Sequence, residues 1–212
     1  RIPYYYQGQA FYGDIRAILA FTADDIWFGI ANLIHWDGAR YRPIDTPDHA
    51  FQARINSMWG RSSQHFYIVG NAGNLARYNG TSWQKIDSGT TLNINDIWGA
   101  RHPRTGQWEI LAVASNPFAH DGRAVLQIDG TTVTSLETAG LSQDLNTLWF
   151  VPGERYLIGG DGVYHSSNIP DQWRRDTTFP PYYKTAIRGR PLNYIFLVVS
   201  FWLVMHYNGV DW

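Results

Sequence analysis

Tyr78-Asn79-Gly80-Thr81-Ser82-Trp83 is the stretch on which the fold turns. Asn-Gly between two aromatic runs is the strongest short-range hairpin signal, because a type I′ turn needs positive φ at both central residues. Relatives of it recur as Trp36-Asp37-Gly38-Ala39-Arg40-Tyr41, Ile128-Asp129-Gly130-Thr131-Thr132-Val133 and Tyr207-Asn208-Gly209-Val210-Asp211-Trp212. A further hairpin, without the glycine, is read at Ile169-Pro170-Asp171-Gln172-Trp173. The residues closing these turns form the column Tyr41, Trp83, Val133, Trp173 and Trp212. Repeats of about 40 to 50 residues built from short strands and tight turns predict a β-propeller.

Aligned on the turns, the chain gives five units of four strands. The predicted strands are 15–20, 25–30, 33–36 and 41–44, then 55–60, 65–70, 75–78 and 83–87. They continue as 94–99, 109–114, 125–128 and 133–137, with an insertion at 116–123, and as 145–150, 155–159, 163–166 and 173–176. The fifth unit has 185–189, 194–199 and 204–207 and stops where its outer strand should begin. Arg1-Ile2-Pro3-Tyr4-Tyr5 resembles such an outer strand. The expected architecture is therefore an all-β, five-bladed β-propeller of four-stranded antiparallel blades. Its ring is closed by the N-terminal strand completing the C-terminal blade, which leaves no open sheet edge. Residues 1–212 then form a single, monomeric domain.

Two inner-strand columns define the predicted core. They are Ile18, Met58, Ile97, Leu148 and Ile187, and next to them Leu19, Trp59, Trp98, Trp149 and Arg188. Adjacent apolar columns are expected where neighbouring blades cover both faces of a sheet. Arg188 breaks the tryptophan column and marks the fifth blade as atypical.

A composition of 44% hydrophobic and 17% charged residues suits a globular chain with a sizeable core. The net charge of −1 provides no basic field, which argues against nucleic acid as a partner. No stretch reads as a membrane span, since the most apolar run, 195–205, has the length of one or two buried strands. The absence of cysteine removes disulfides, thiolate metal sites and cysteine nucleophiles, and leaves the redox compartment open.

The pattern Ile97-Trp98-Gly99, Tyr67-Ile68-Val69-Gly70-Asn71-Ala72-Gly73-Asn74-Leu75, Tyr78-Asn79-Gly80-Thr81-Ser82-Trp83 and Ser88-Gly89-Thr90-Thr91 resembles a bacterial propeller repeat. It is similar to repeats of the Ycf48-like proteins and of the wider Asp-box (BNR) group. The similarity is strongest over 55–99. It implies a propeller fold, and its Asp-box turns occur in sialidases and in non-enzymes alike; the function expected of the chain as a whole is a non-enzymatic binding or assembly module, with an extracytoplasmic setting, periplasmic or secreted, slightly favoured. No sialidase arginine triad carries across.

Candidate site residues follow from register. Asn56, Asn95 and Asn146 share one inner-strand position, joined by Arg16 and Thr185, and are expected at the mouth of the central channel. Their amides either face a ligand or satisfy backbone groups between blades. Asn32, Asn71, Asn74, His120, Asp121, Arg123, Asp161 and Trp202 belong to links on the same face. Polar groups with an aromatic plate suit a carbohydrate or a polar peptide or protein ligand. His120 and Arg123 in the 116–123 insertion are placed to bind an anionic group. The link at 101–107 is the counterpart on the opposite face. The rival reading is a glycoside hydrolase, which needs two carboxylates about 5 to 10 Å apart. Asp14, Asp121, Asp144 and Asp161 are its loop candidates. The column His35, Arg77, Gln127, His165 and His206 places its histidines in different blades, too far apart to share an ion. Neither a metal nor another cofactor is expected.

Overall fold

The computed structural model describes residues 2–6, 9–30, 32–46, 51, 53–116, 119, 122–169, 172–179, 182–190, 192–200 and 203–212. All regular structure among them is β. The chain divides into two compact units, Arg1–Ile94 and Asn95–Trp212.

In the first unit, β1 (Ile2–Tyr6) and β2 (Gln9–Gly13) form a two-stranded sheet. A four-stranded meander follows: β3 (Ala17–Thr22), β4 (Asp25–Gly29), β5 (Leu33–Trp36) and β6 (Tyr41–Ile44). The next consists of β7 (Ile55–Ser62), β8 (His65–Gly70), β9 (Leu75–Tyr78) and β10 (Trp83–Ile86). The third meander is β11 (Ile94–Arg101), β12 (Trp108–Ser115), β13 (Arg123–Asp129) and β14 (Thr132–Leu136). The fourth, which like the third belongs to the second unit, is β15 (Leu145–Val151), β16 (Arg155–Gly160), β17 (Val163–Ser166) and β18 (Arg174–Asp176). The last sheet has three strands, β19 (Lys184–Arg190), β20 (Tyr194–Val199) and β21 (Leu203–Tyr207). Five successive antiparallel sheets in sequence order are the strand arrangement of a five-bladed β-propeller. The predicted strands all exist, most with ends shifted by one or two residues.

β1 pairs with β2 from Ile2↔Gly13 to Tyr6↔Gln9, and the sheet of β19 to β21 has no fourth strand among the described residues. β2 was absent from the sequence reading. Only two residues separate β1 from β2, so their pairing closes a short loop.

Sheets pack face to face within each unit. Trp27, Leu33, Ile55, Met58, Phe66 and Ile68 fill the space between the first and second blades. In the second unit Leu111, Val113 and Val125 pack with Phe150, Tyr156 and Ile158. On the other side of β16, Leu157 joins Trp149, Ile187, Ile195 and Leu197. The fourth blade is thus covered on both faces, which explains the unbroken burial along β16. In the fifth, β20 alternates instead, with Ile195, Leu197 and Val199 buried and Tyr194, Phe196 and Val198 exposed. The column headed by Ile18 is similarly uneven: Met58, Ile97, Leu148 and Ile187 are buried, whereas Ile18 is 60% exposed.

The turns at Gly38, Gly80 and Gly209 are not type I′, and residues 170–171 of the hairpin read at 169–173 lie outside the described residues. Positive φ is found at Gly38 (87°), Gly80 (95°) and Gly209 (102°), while the Asp or Asn before each is not in that region. One positive φ, at the first central residue, is the II′ pattern. The preceding side chain acts as a cap: Asn79 Oδ1 accepts from the amides of Thr81 (3.0 Å) and Ser82 (2.9 Å). Asp37 does the same for Ala39 and Arg40, and Asn208 for Val210 and Asp211. In Asp37 these bonds to Arg40 and Ala39 hold the carboxyl down at about 2.

Candidate functional site

The shared asparagine column is built into the scaffold. Ladder register shifts between Ile55 and Ser57, and again between Leu145 and Thr147, so Asn56 and Asn146 are each the extra residue of a β-bulge. A third shift, between Lys184 and Ala186, makes Thr185 its equivalent. A bulge re-aims a side chain out of the ladder direction. Asn56 Nδ2 donates to the carbonyl of Ile94 (3.1 Å), the first residue of β11. Asn95 donates to that of Leu145 (2.7 Å), which opens β15, and Asn146 to that of Lys184 (3.1 Å), which opens β19. Each amide therefore reads the first carbonyl of the next inner strand. Ser115 reinforces the middle case, its Oγ donating to the Leu145 carbonyl (2.8 Å) and accepting from its amide (3.0 Å). Asn71 and Asn74 are drawn into the same network, Asn71 Oδ1 accepting from Asn56 and Asn74 Nδ2 donating to the Asn71 carbonyl. Asn32 is exposed in the β4–β5 link.

His120, Asp121 and Trp202 lie outside the described residues. Arg123 opens β13 opposite Ser115, and its Nε is buried with no hydrogen-bond partner among the described residues. On the opposite face, the 101–107 link is closed on itself: Arg101 Nε donates to the Gly106 carbonyl, and the His102 amide to that of Gln107.

Asp161, in the β16–β17 link, sits in a polar cluster. Its Oδ1 accepts from Ser142 Oγ and from Tyr164 OH (3.0 Å), and its backbone carbonyl accepts from Arg175 (3.3 Å). Lys184 is fully buried nearby and donates its ammonium to the Tyr182 carbonyl. Burial first, and then Arg175, lower the Lys184 pKa against the opposing pull of Asp161. Tyr183 is pushed up to about 12 by burial and by Asp144 and Asp161.

One cluster was only half visible in the sequence. Asp96, on β11 and 4% exposed, accepts from Thr147 Oγ1 (2.8 Å) and the Leu148 amide (3.0 Å) on β15. The same carboxylate holds Arg188 of β19 in a two-pronged ion pair, both contacts 2.9 Å. Arg188 also lies 5.1 Å over the Trp98 ring. The residue that interrupts the tryptophan column is thus the counter-charge of a buried acid two blades away.

Two recesses were missed altogether, because their residues come from different columns. One, of about 370 Å³, is lined by Trp27, Ile44, Asp45, Tyr78, Thr81, Ser82 and Trp83 in the first unit. The other, of about 460 Å³, lies at the rim of the fourth blade against His165, Ser166, Ser167, Gln172 and Arg174. Among the described residues no set of three His, Cys, Asp or Glu could hold a metal ion, and no helix is long and apolar enough to cross a membrane.

No family profile matches the chain, and neither does any curated protein sequence. Solved structures do. The extracellular domain of BT4673 from B. thetaiotaomicron superposes with a TM-score of 0.66 at 17% identity, over 96% of this chain and 28% of that one. The WD40 β-propeller domain of Doa1 gives 0.67 at 11% identity, over 96% of this chain and 64% of that one. YCF48 from Cyanidioschyzon merolae gives 0.55 at 12% identity, over 92% and 66%, and a structure of YCF48 bound to D1 peptide gives 0.50 at 12%, over 92% and 77%. The chain spans less than two thirds of the length of the first two. At these identities the likeness is one of fold, and the fold is the β-propeller.

Proposed function

We propose that the chain is a non-enzymatic binding or assembly module that engages a polar peptide or protein segment. The observation that carries this reading is the condition of Asp161. It is one of the four loop carboxylates, Asp14, Asp121, Asp144 and Asp161, from which glycoside hydrolysis would have to draw its acid and base. Two hydroxyls donate to one of its oxygens, from Ser142 in the β14–β15 link and from Tyr164 on β17. A carboxylate held this way ties links together, whereas a general acid must present a proton to a leaving group. Arg123 supports the binding side of the proposal: its Nε, buried with no partner among the described residues, marks the base of the 116–123 link as a place where an anionic group, such as a peptide carboxylate or a uronate, gains charge-assisted bonds. The peptide-bound form of YCF48 supports a peptide over a carbohydrate. A bacterial, Asp-box-related origin and an extracytoplasmic setting accompany this reading.

A peptide array, a glycan array and a panel of chromogenic glycosides test it together. The expected result is capture of peptides, weakened by Arg123→Ala, with no glycoside turnover. Turnover that disappears in Asp161→Asn would overturn it in favour of the hydrolase.

A further inference from the structure

We infer that the cleft lined by Trp27, Ile44, Asp45, Tyr78, Thr81, Ser82 and Trp83 is a receptor for a cationic side chain, the guanidinium or ammonium of an arginine or lysine presented by a partner peptide. This inference deepens the proposed binding role and rests on it.

The cleft belongs wholly to the first unit and holds about 370 Å³, enough for one long side chain. Its walls are aromatic. Tyr78 and Trp83 have ring centres 5.0 Å apart, Trp27 is 6.2 Å from Tyr78, and Phe66 backs them at 5.3 Å from Trp83. Both Tyr78 and Trp83 are only half-buried, so ring surface faces the opening. Phe66 is completely buried, which fixes these walls from behind.

The polar groups decide what the cleft takes, because most of their protons are already committed. Tyr78 OH donates to the Gly80 carbonyl (2.9 Å). Thr81 Oγ1 donates to Asn79 Oδ1 (2.9 Å), and Ser82 Oγ lies 3.4 Å from the same oxygen. That oxygen also takes the amides of Thr81 and Ser82, and Trp27 Nε1 donates to Asp25. What these groups still offer to a guest is lone pairs. The exposed Asp45 carboxylate adds a negative charge, and among the described residues no Lys, Arg or His lines the cleft. A sugar, which needs donors as well as acceptors, finds few. A group rich in N–H, positively charged and attracted to aromatic faces satisfies every wall at once.

The test uses the intact chain and the capped tripeptides Gly-Arg-Gly, Gly-Lys-Gly, Gly-citrulline-Gly and Gly-Glu-Gly, followed by the indole NMR signal of Trp83, assigned through Trp83→Phe. Citrulline keeps the shape of arginine without its charge. The arginine or the lysine peptide should shift that signal with a Kd in the millimolar range, and the stronger of the two identifies the head group. Citrulline should bind at least about five-fold more weakly, and Asp45→Asn should weaken the cation by about the same factor at low salt. Asp45 is exposed, so that variant does not disturb the core. Equal binding of citrulline, tighter binding of the glutamate peptide, unchanged affinity in Asp45→Asn, or no shift with either cation would each overturn the inference. None of these outcomes touches the broader binding role, because the peptide array detects capture anywhere on the chain.

Discussion

Replacing Asp96 by alanine should be among the most damaging single changes in the second unit, and its cost can be worked from the contacts. The substitution strands the Leu148 amide and the Thr147 hydroxyl, both on residues at most 2% exposed. A buried donor stripped of its acceptor costs about 1–3 kcal/mol. Thr147 Oγ1 still accepts from the Ile187 amide (3.0 Å), so its loss is the smaller one. Arg188 loses its counter-charge but is 43% exposed at its side chain and keeps the carbonyls of Leu148 and Ile187. Its charge can therefore be rehydrated, and the ionic part deserves no more than about 1 kcal/mol. The total comes to about 3–5 kcal/mol. Arg188→Met should cost much less, about 1–2 kcal/mol, since Asp96 would retain the Thr147 hydroxyl and the Leu148 and Ile97 amides. Urea unfolding of the two variants, with linear extrapolation, gives both values. Hydrogen exchange at the Leu148 amide should also accelerate more in Asp96→Ala than in Arg188→Met. If the arginine variant proves as destabilising as the aspartate variant, the ion pair and not the hydrogen-bond hub holds these strands, and the reasoning fails.

Asn146→Ala should destabilise the second unit by about 1 kcal/mol, the net worth of the bonds to the Lys184 and Thr185 carbonyls, and Asn146→Asp should be worse because a carboxylate offers no donor; equilibrium denaturation that leaves both variants at wild-type stability would contradict the stapling role. Glu109→Gln addresses pH. Burial raises the Glu109 carboxyl above the usual glutamate range, with the Tyr156 hydrogen bond opposing it. A raised acid stabilises the folded state below its ordinary pKa and loses that contribution as pH rises through the raised value. Thermal midpoints of Glu109→Gln and wild type should accordingly coincide near about pH 4 and separate in favour of the glutamine towards about pH 7; a glutamine variant less stable at neutral pH would refute the assignment.

Strand placement was legible because it is local. Turn residues, apolar runs and repeat spacing together located the strands of all five meanders. The turn type was misread, since Asn-Gly leaves open whether the asparagine enters the turn or caps it. Asn79 caps it, and the sign of φ is a property of backbone geometry that its identity alone does not settle. β2, which pairs with β1, went unread because no turn signal of the repeat flanks it. For Asn56, Asn95 and Asn146 the register was right while the two possible uses of an amide were equally open. The bulge that aims Asn56 and Asn146 at neighbouring carbonyls is an insertion in the ladder, invisible without its partner strand. The aromatic cleft was beyond reach for a different reason: Trp27, Asp45 and Trp83 occupy unrelated columns of the repeat and meet only when two sheets stack.

The Asp96–Arg188 pair has a consequence for how such a chain can change its length. An array of blades whose couplings run only between nearest neighbours can in principle gain or lose one unit anywhere, because every joint resembles every other. The asparagine staples are couplings of that kind and would tolerate duplication. Asp96 is different, since it spans from β11 across β15 to β19. Inserting or deleting a unit between those strands would leave a buried acid facing the wrong neighbour. Blades three to five are thereby an indivisible cassette within an otherwise extensible series.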